Sequence, residues 1–581
     1  MANFFTDNDD IRFLFDHLDL ARLAEILEEG FRFAGEFDYA PADAGDAVDN
    51  YRRILTALGE LAGDHIAPTA EDSDRDGNRL EADGSVTRPA GIAKALDLLG
   101  RADLMGFTLP YRFGGLNGPN LLYTMSIEIV SRADAALMNL YGLQGIAETI
   151  NAFADEAVKA DVLPDMAAGK TTGAMVLTEP DAGSDLQAVK TRAYQDGDGN
   201  WFVQGVKRFI TNGCGEILLV MARTEPEIAG GRGLSLLLLE RGPRVKIRRL
   251  EDKLGIHASP TCEIFFDDAP AKLIGERQRG LVPYVASLMD GARIGIAAQG
   301  LGIGEAAFRV ARDYAHSRRQ MGQAVENFPA LRELIADMQI DLQAARTLTY
   351  FASFCVDIHR GALRRLDAGD VTDKGELKRL KTDARKYKRL NSMLTPMCKY
   401  YASEMSMRVA NGAVAVLGGS GYMKDYPVER HLRDSRITTI YEGTTQLQVV
   451  AAVRGVTSGT AAGLIADLLD RDWPEDLADL AAKARQAAAL LDEAIAFVKE
   501  QPGTEYMDLV GRRLVDMAIY IIVAALLLDQ AGASETKKAV VRRWLTVKVP
   551  EIRMNREVIL SGERSPMTDF EALAGPLPVG Q

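Results

Sequence analysis

Residues 196–206 read Asp196-Gly-Asp-Gly-Asn-Trp-Phe-Val-Gln-Gly-Val206. Aspartate, glycine and asparagine in a cluster are turn chemistry. The Trp-Phe-Val that follows is strand chemistry. The stretch reads as a turn feeding a short strand, and the same texture extends on both sides of it. Short apolar or alternating runs at 173–177, 201–206, 217–223, 234–239, 245–249 and 261–266 are separated by turn residues. Regular short strands with such punctuation predict a small β-sandwich or barrel.

Outward from this region the chain turns helical. Ile54, Leu58 and Leu61 recur at helix spacing, as do Leu121, Met125 and Ile129. The helical pattern returns at 282 and lasts to about 454, with long helices expected around 330–365 and 375–411. Residues 456–463, rich in glycine, threonine and serine, read as a linker, and 464–560 is helical again. Residues 1–45 read as an acidic leader with one amphipathic piece at 20–33. The expected division is a leader (1–45), an N-terminal helical domain (46–172), a middle β domain (173–281), a helical bundle (282–455) and an extra C-terminal helical domain (456–581). The class is α+β.

At 581 residues the chain is too long for one compact core. It is 47% hydrophobic and 26% charged, a globular composition. A formal net charge of −14 argues against nucleic acid as the main partner. A local basic pocket could still hold a nucleotide. Cys214, Cys262, Cys355 and Cys398 are scattered, as expected of free thiols in a reducing cytoplasm. The first residues are acidic and lack the apolar core of a secretory signal. The longest apolar run, 517–528, has 12 residues, whereas a membrane span needs about 20. It reads as a buried helix, with membrane contact at most peripheral.

Several apparent motifs dissolve on inspection. Ala168-Gly-Lys-Thr-Thr172 resembles the end of a phosphate loop, but Pro164 stands where that loop needs its first glycine. Gly300, Gly302 and Gly304 lack the spacing and the preceding strand of a dinucleotide site, so close helix packing is the better reading. No histidine pairs with another histidine or a cysteine at metal-ligand spacing, so no metal is expected.

One carboxylate stands apart. Residues 440–448 read Ile440-Tyr-Glu-Gly-Thr-Thr-Gln-Leu-Gln448. Glu442 lies between a β-branched and aromatic run and a Gly-Thr-Thr turn. In apolar surroundings a carboxylate becomes a stronger base, as removal of a weakly acidic proton next to a carbonyl requires. The plain alternative is a charge at a helix start, favoured by the dipole.

Two further segments, Leu177-Thr-Glu-Pro-Asp-Ala-Gly-Ser-Asp185 and Lys207-Arg-Phe-Ile-Thr-Asn-Gly213, join the Glu442 segment in the same chain. Together they resemble the signature of the acyl-CoA dehydrogenase family over roughly residues 50–455. The resemblance implies an N-terminal helical domain, a middle β domain and a C-terminal four-helix bundle. It implies FAD bound without a Rossmann fold, and oxidation of an acyl-CoA to its trans-2-enoyl-CoA.

Residue by residue, Glu442 matches the base that takes the proton beside the thioester carbonyl, while hydride goes to flavin N5. Its backbone N–H matches an oxyanion-hole donor, and Tyr441 the pocket wall. Leu177 and Thr178 match the strand that meets the flavin ring, and Thr211 the hydroxyl aimed at N5. Ser184 matches a pyrophosphate contact, and Phe209 a position where many members place Trp over the flavin. Arg318 matches a residue reaching a neighbouring subunit's flavin, and Gly418 with Gly419 the turn that approaches it. Thr444 and Gln446 match further flavin contacts. Asp290 and Arg293 match helix residues that meet CoA. By analogy, residues 137–144 line the acyl pocket, with Tyr141 hinting at a short or flat acyl group. Asp134 is a possible rival base, or simply part of a solvated turn.

Ala415 and Met321 depart from the pattern, where some members have Gln and Phe. An isovaleryl-type member would lack a glutamate at 442, so that branch is disfavoured. Oxidases usually follow the base motif with Asp-Asn, whereas this chain has Thr444-Thr445. The resemblance therefore implies a dehydrogenase passing electrons to an electron-transfer flavoprotein. The alternatives are an oxidase using oxygen, or a scaffold with the same fold and no activity. The leader, the segment Asp252-Lys-Leu-Gly-Ile-His257 and the C-terminal domain resemble a long-form bacterial subgroup, that of 3-(methylthio)propionyl-CoA dehydrogenase. Long-form relatives use such a domain to dimerise, so a homodimer or tetramer is expected.

Overall fold

The computed structural model describes residues 2–369 and 371–577. Helices, a sheet and helices follow one another in the expected α+β order. A short hairpin, β1 (Arg79–Leu80) and β2 (Val86–Thr87), precedes the main sheet. The sheet comprises β3 (Gly173–Val176), β4 (Arg192–Gln195), β5 (Trp201–Thr211), β6 (Ile217–Arg223), β7 (Leu234–Glu240), β8 (Val245–Leu250) and β9 (Thr261–Ile274). β6 pairs with both β4 and β7, so the pairing runs in a ring through β4, β5, β9 and β7. β3 joins β6 in parallel, and β8 joins β9. A closed ring leaves no free edge to those strands.

β6 and β7 read as nearly continuous hydrophobic runs because both faces are covered. Leu218, Val220 and Leu237 point into the ring core. Leu219, Met221 and Leu236 point outward onto Ile146, Ile150 and Leu163 of the helices Gln144–Phe153 and Glu156–Ala167. β5 and β9 run longer than the sequence pattern indicated, and β4 was not anticipated. β4 is short and mostly exposed, so it carries no apolar signature.

The described residues fall into two compact units. The first takes in the chain up to Lys388 together with Cys398–Thr444. Its long helices are Ala286–Ser317, Pro329–Ala368 and most of Lys374–Leu417. Gly300 and Gly302 serve close packing, as the sequence suggested. A Cβ at Gly302 would fall 2.5 Å from the Glu128 carbonyl oxygen, and one at Gly300 2.8 Å from that of Ala402. The acidic opening segment is more than a leader. It forms the helices Asp9–His17 and Leu20–Leu27, and Phe5, Ile11, Leu14 and Phe15 are buried. Its acidic residues are ion-pair partners: Asp7 meets Arg132 at 2.6 Å.

The second unit takes in Arg389–Met397 and the chain from Thr445 onward. The stretch expected as a linker is mostly helical. Thr445–Thr457 and Thr460–Leu469 are separated by Ser458 and Gly459, the latter at φ 93°. Ala461, Leu464 and Ile465 are buried and draw the chain into a helix. Glu505–Ala531 packs against Glu475–Glu500 and Glu535–Leu560 and over 517–528 is apolar on every side, the mark of a buried helix. Among the described residues, Gly280–Ser317 and Glu505–Ala531 are long and apolar enough to cross a membrane by length and composition. In the latter, 83% of the apolar window is buried within the protein.

Candidate active site

The helix Val428–Thr438 ends at Thr439, and Ile440 and Tyr441 fold back with N–H bonds to the Ile437 carbonyl. The chain then makes a left-handed turn, with φ of 55° at Glu442 and 92° at Gly443. A glycine accepts this freely, whereas for glutamate it costs about 1–2 kcal/mol. Such strain persists where the surroundings over-determine it, commonly at functional sites. The surroundings here include Lys399, whose Nζ donates to the Gly443 carbonyl at 2.7 Å.

Glu442 lines a cavity of about 80 Å³ together with Thr211, Met175, Asn139, Glu148 and Tyr441. The remaining wall comes from the helices Asn120–Ala133, Ala135–Tyr141, Gln144–Phe153 and Ala286–Ser317 and from Gly142 and Leu143. Glu442 retains a little accessible surface, yet protein surrounds its carboxyl group. That burial pushes its pKa up to about 7, against the pull of Lys399 and Arg293. A carboxyl titrating there is a base matched to neutral pH. Behind it, the Tyr441 hydroxyl contacts Gln299 Oε1 and lies 3.2 Å from Asn139 Oδ1, while Gln299 Nε2 donates to that same Asn139 oxygen at 2.8 Å. This closed polar set fixes the residue that precedes the base. Arg293 Nη1 donates to Asp290 Oδ1 at 2.9 Å, so the two residues expected to meet CoA form one pair on their helix.

On the sheet side, two devices present the expected flavin residues. The β5–β9 register shifts between Lys207 and Ile210, and Phe209 adopts φ 62°. This bulge turns the Phe209 ring outward, 52% exposed, with the Arg208 guanidinium 4.7 Å from its centroid. Beneath it, buried Lys207 donates to the Leu177 carbonyl at 2.7 Å and pairs with Glu179 at 3.0 Å. Glu179 in turn accepts from the Lys190 and Thr191 N–H groups. The 177–185 motif is thus pinned to β5 through a buried ion pair, a role for Lys207 and Glu179 that the sequence reading missed. The Thr178 and Thr211 hydroxyls have no hydrogen-bond partner among the described residues. Two available hydroxyls, an outward aromatic face and a cavity edge suit a flat, polar heteroaromatic ring, so the residues fit a flavin. Ser184 is exposed in the loop that follows.

Arg318, Tyr314 and Tyr426 line a second, open cavity of about 640 Å³ at the C-terminal end of Ala286–Ser317. The Tyr314 hydroxyl donates to Ser420 Oγ at 3.3 Å, tying Arg318's wall to the turn 418–421. Gly418 has φ 61°, and a Cβ on Gly418 or Gly419 would meet nothing within 4 Å. Thr444 closes the base turn, partly exposed, while Gln446 is exposed and belongs to the second unit.

Two expectations need correction. Tyr141 does not line the cavity. It is fully buried, its hydroxyl 2.8 Å from Ser126 Oγ, and Tyr123 stands at the wall instead. Asp134 is neither a rival base nor a solvated turn. It is a buried N-cap that accepts from the Ala136 and Leu137 N–H groups, away from the cavity lining. Glu148 and Lys399 were missed. A lone charge inside a helical pattern looks like solvated surface, and only the fold shows that one meets Arg360 at 3.1 Å and the other lies under Gly443.

Family models for acyl-CoA dehydrogenases match most of this chain. The N-terminal domain model covers residues 49–170, the middle domain 174–269, the C-terminal domain 280–368 and 377–457, and a further "Acyl-CoA dehydrogenase C terminal" model 457–547. The chain belongs to the acyl-CoA dehydrogenase family. It is 36% identical over 369 residues to an acyl-CoA dehydrogenase of Bacillus subtilis, covering 62% of this chain and 89% of the relative. It is 34% identical over 404 residues to an acryloyl-CoA reductase (NADH) of Anaerotignum propionicum, covering 68% and 92%. The butyryl-CoA dehydrogenase structure from Megasphaera elsdenii superposes with a TM-score of 0.59 at 31% identity, over 70% of this chain and 97% of that one. An acyl-CoA dehydrogenase from Bacillus anthracis complexed with FAD shares the fold over 90% of both chains, with a TM-score of 0.75 at 21% identity.

Proposed function

We propose that this family member is an FAD-dependent acyl-CoA dehydrogenase that introduces an α,β double bond into an acyl-CoA thioester. The carrying observation is Glu442, strained, desolvated and directed to a cavity whose other wall bears Thr211. Glu442 takes the α-proton, and its N–H donates to the thioester oxygen. Bound FAD supplies the acceptor for the β-hydride at N5. Leu177, Thr178, Thr211 and Phe209 would hold the ring, and Ser184 and Thr444 would hold its remaining groups. Tyr441 shapes the pocket, and Asp290 with Arg293 meets the CoA. Arg318, Gly418 and Gly419 reach the flavin of a second copy, which makes the working unit a homodimer or larger.

Electrons pass to an electron-transfer flavoprotein rather than to oxygen, a reading supported by Gly443-Thr444-Thr445 after the base. The five-part division of the chain, a cytoplasmic location and membership of the 3-(methylthio)propionyl-CoA subgroup belong to the same proposal. The deciding experiment is anaerobic reduction of the bound flavin by butyryl-, octanoyl-, palmitoyl-, methylthiopropionyl- and cyclohexanecarboxyl-CoA. Bleaching by at least one, without oxygen uptake when air is admitted with substrate, is the expected outcome. Rapid oxygen consumption would make the protein an oxidase, and a protein that takes up no FAD would be a scaffold.

A further inference from the structure

We infer that Lys399 is a positioning residue for the base: its ammonium anchors the left-handed Glu442–Gly443 turn through the Gly443 carbonyl and serves as the counter-charge that keeps the Glu442 carboxylate available. The inference rests on the reading of Glu442 as the base.

Lys399 sits within the helix Lys374–Leu417 and is completely buried. A lysine with no exposed surface is a costly residue. Moving an ammonium out of water is unfavourable unless charge and hydrogen bonds replace the lost solvent. A leucine or methionine would fill the same volume without that penalty, so packing does not account for it. The Gly443 carbonyl gives one replacement, at 2.7 Å. Glu442 and Glu404 give the opposite charge that faces Lys399, and Arg293 is the like charge that opposes it.

The geometry of the turn makes that hydrogen bond consequential. Positive φ at two successive residues aims the Gly443 carbonyl toward the helix. Loss of this donor removes a bond that holds a partly buried carbonyl beside the strained Glu442. With the donor removed, the turn has less reason to keep Glu442 left-handed, and the carboxylate loses its fixed direction. The groups that face Glu442 are Lys399 from Lys374–Leu417 and Arg293 from Ala286–Ser317, with the Tyr441 phenol beside it. Burial raises the carboxyl pKa and these two cations hold it back. Burial also lowers the Lys399 pKa to about 8, against the pull of Glu442. Each charge therefore favours the charged form of the other.

The test is the pH profile of anaerobic flavin reduction, followed between pH 5.5 and 9.5 with whichever thioester of the five above bleaches the wild-type flavin fastest. Lys399→Met removes donor and charge, Lys399→Gln keeps a donor without charge, and Lys399→Arg keeps the charge. The profile midpoint in Lys399→Met should move up by about one pH unit, so that the rate at pH 6 falls about tenfold beyond any loss at pH 9. Lys399→Gln should show the same upward shift with a smaller loss at pH 9, and Lys399→Arg should return the midpoint toward wild type. Should Lys399→Met fail to fold, Lys399→Gln alone decides. A rate lowered equally at every pH, with an unmoved midpoint, makes Lys399 a packing residue and overturns the inference. Failure of the base assignment has a different signature: Glu442→Gln would then bleach at the wild-type rate.

Discussion

Two sites in the first unit hold carboxyl groups against desolvation, and Glu305 and Glu442 come out on opposite sides of their usual range. Around Arg346, which has no exposed surface, the guanidinium donates to Glu128 Oε1 at 2.9 and 2.7 Å, to Glu305 Oε2 at 2.7 Å and to Asp10 Oδ2 at 2.5 Å. The Tyr350 hydroxyl adds a bond to Glu128 Oε2 at 2.6 Å. Burial drives the Glu305 carboxyl upward, but Arg346, Arg309 and Arg132 outweigh it and hold it below the usual range. At Glu442 the balance reverses: burial outweighs Lys399 and Arg293, and the carboxyl rises to about 7. Desolvation acts on both. Glu305 is tied directly, with Arg346 and Arg309 donating to its carboxylate oxygens, whereas the Lys399 ammonium beside Glu442 donates to the Gly443 carbonyl; within the Arg346 cluster Glu128 is the exception, its carboxyl raised by burial despite its donors. The first arrangement ties the opening segment to the helices 120–133, 286–317 and 329–368. At the second, burial holds the Glu442 carboxyl where it exchanges a proton near neutral pH.

The largest effect should come from breaking the reactive member. Glu442→Gln keeps the shape of the side chain and removes the base. Flavin reduction should slow by about 10²–10⁴-fold, with the flavin spectrum of the resting protein unchanged. Loss of FAD along with the rate would mean that the substitution collapsed the turn rather than removed the base.

Breaking the structural member should cost stability instead. Arg346→Met removes the shared guanidinium from three carboxylates held away from water, and removal of one partner from a buried pair costs about 3–5 kcal/mol. Denaturant unfolding of the first unit should shift accordingly, while flavin reduction per folded molecule at low temperature stays within about threefold of wild type. If unfolding is unmoved, the cluster is wetter than its burial implies and the contrast with Glu442 weakens.

The comparison also fixes the sign of two pH effects. Glu442 has a raised pKa, so between the usual carboxylate range and about pH 7 the folded protein holds a proton that the unfolded chain has lost. Stability from this group is present at low pH and is lost as pH rises through about 7. Glu442→Gln should therefore melt higher than wild type at pH 8 and equal to it at pH 4.5. Glu305 has a lowered pKa, so its contribution is present above the usual range and lost as pH falls below it. Removing it with Glu305→Gln should flatten the acid limb of the melting profile. A Glu442→Gln protein that melts lower at pH 8 would show that the carboxylate stabilises the turn.

How far these features could be read in the chain differs between the two regions for a physical reason. Glu442 stood out because the apolar run and the Gly-Thr-Thr that flank it are local, as are the turns that mark the strands. The sheet was visible for the same cause: turn chemistry and alternation are short-range. β4 and the outer halves of β5 and β9 escaped because their faces are mixed in burial and break the alternation. The Arg346 cluster was invisible. Its members are separated by up to 336 residues in sequence, and each looks alone like an ordinary surface charge. Lys207, Glu148 and Lys399 were hidden in the same way. Tyr141 was misplaced because helix periodicity tells that a residue is buried, not which of two interior surfaces it faces.

The smallest and sharpest test deletes the same atom from each region. Tyr350→Phe removes a hydroxyl that donates to Glu128, and Tyr441→Phe removes one set between Gln299 and Asn139. Each leaves a buried acceptor short of a donor, so each should destabilise by about 1–2 kcal/mol. Their effects on catalysis should part. Tyr350 bears on Glu128, which does not line the cavity, so the reduction rate should be unchanged in Tyr350→Phe. Tyr441 adjoins the strained base, and losing its anchor lets the left-handed turn at Glu442 relax. Reduction in Tyr441→Phe should therefore fall severalfold, and more steeply in rate than in substrate affinity, because a misdirected carboxylate weakens proton removal and not binding. Equal rate losses in the two variants would mean that the two regions form one mechanical unit, and the division between tied and reactive carboxylates would have to be redrawn.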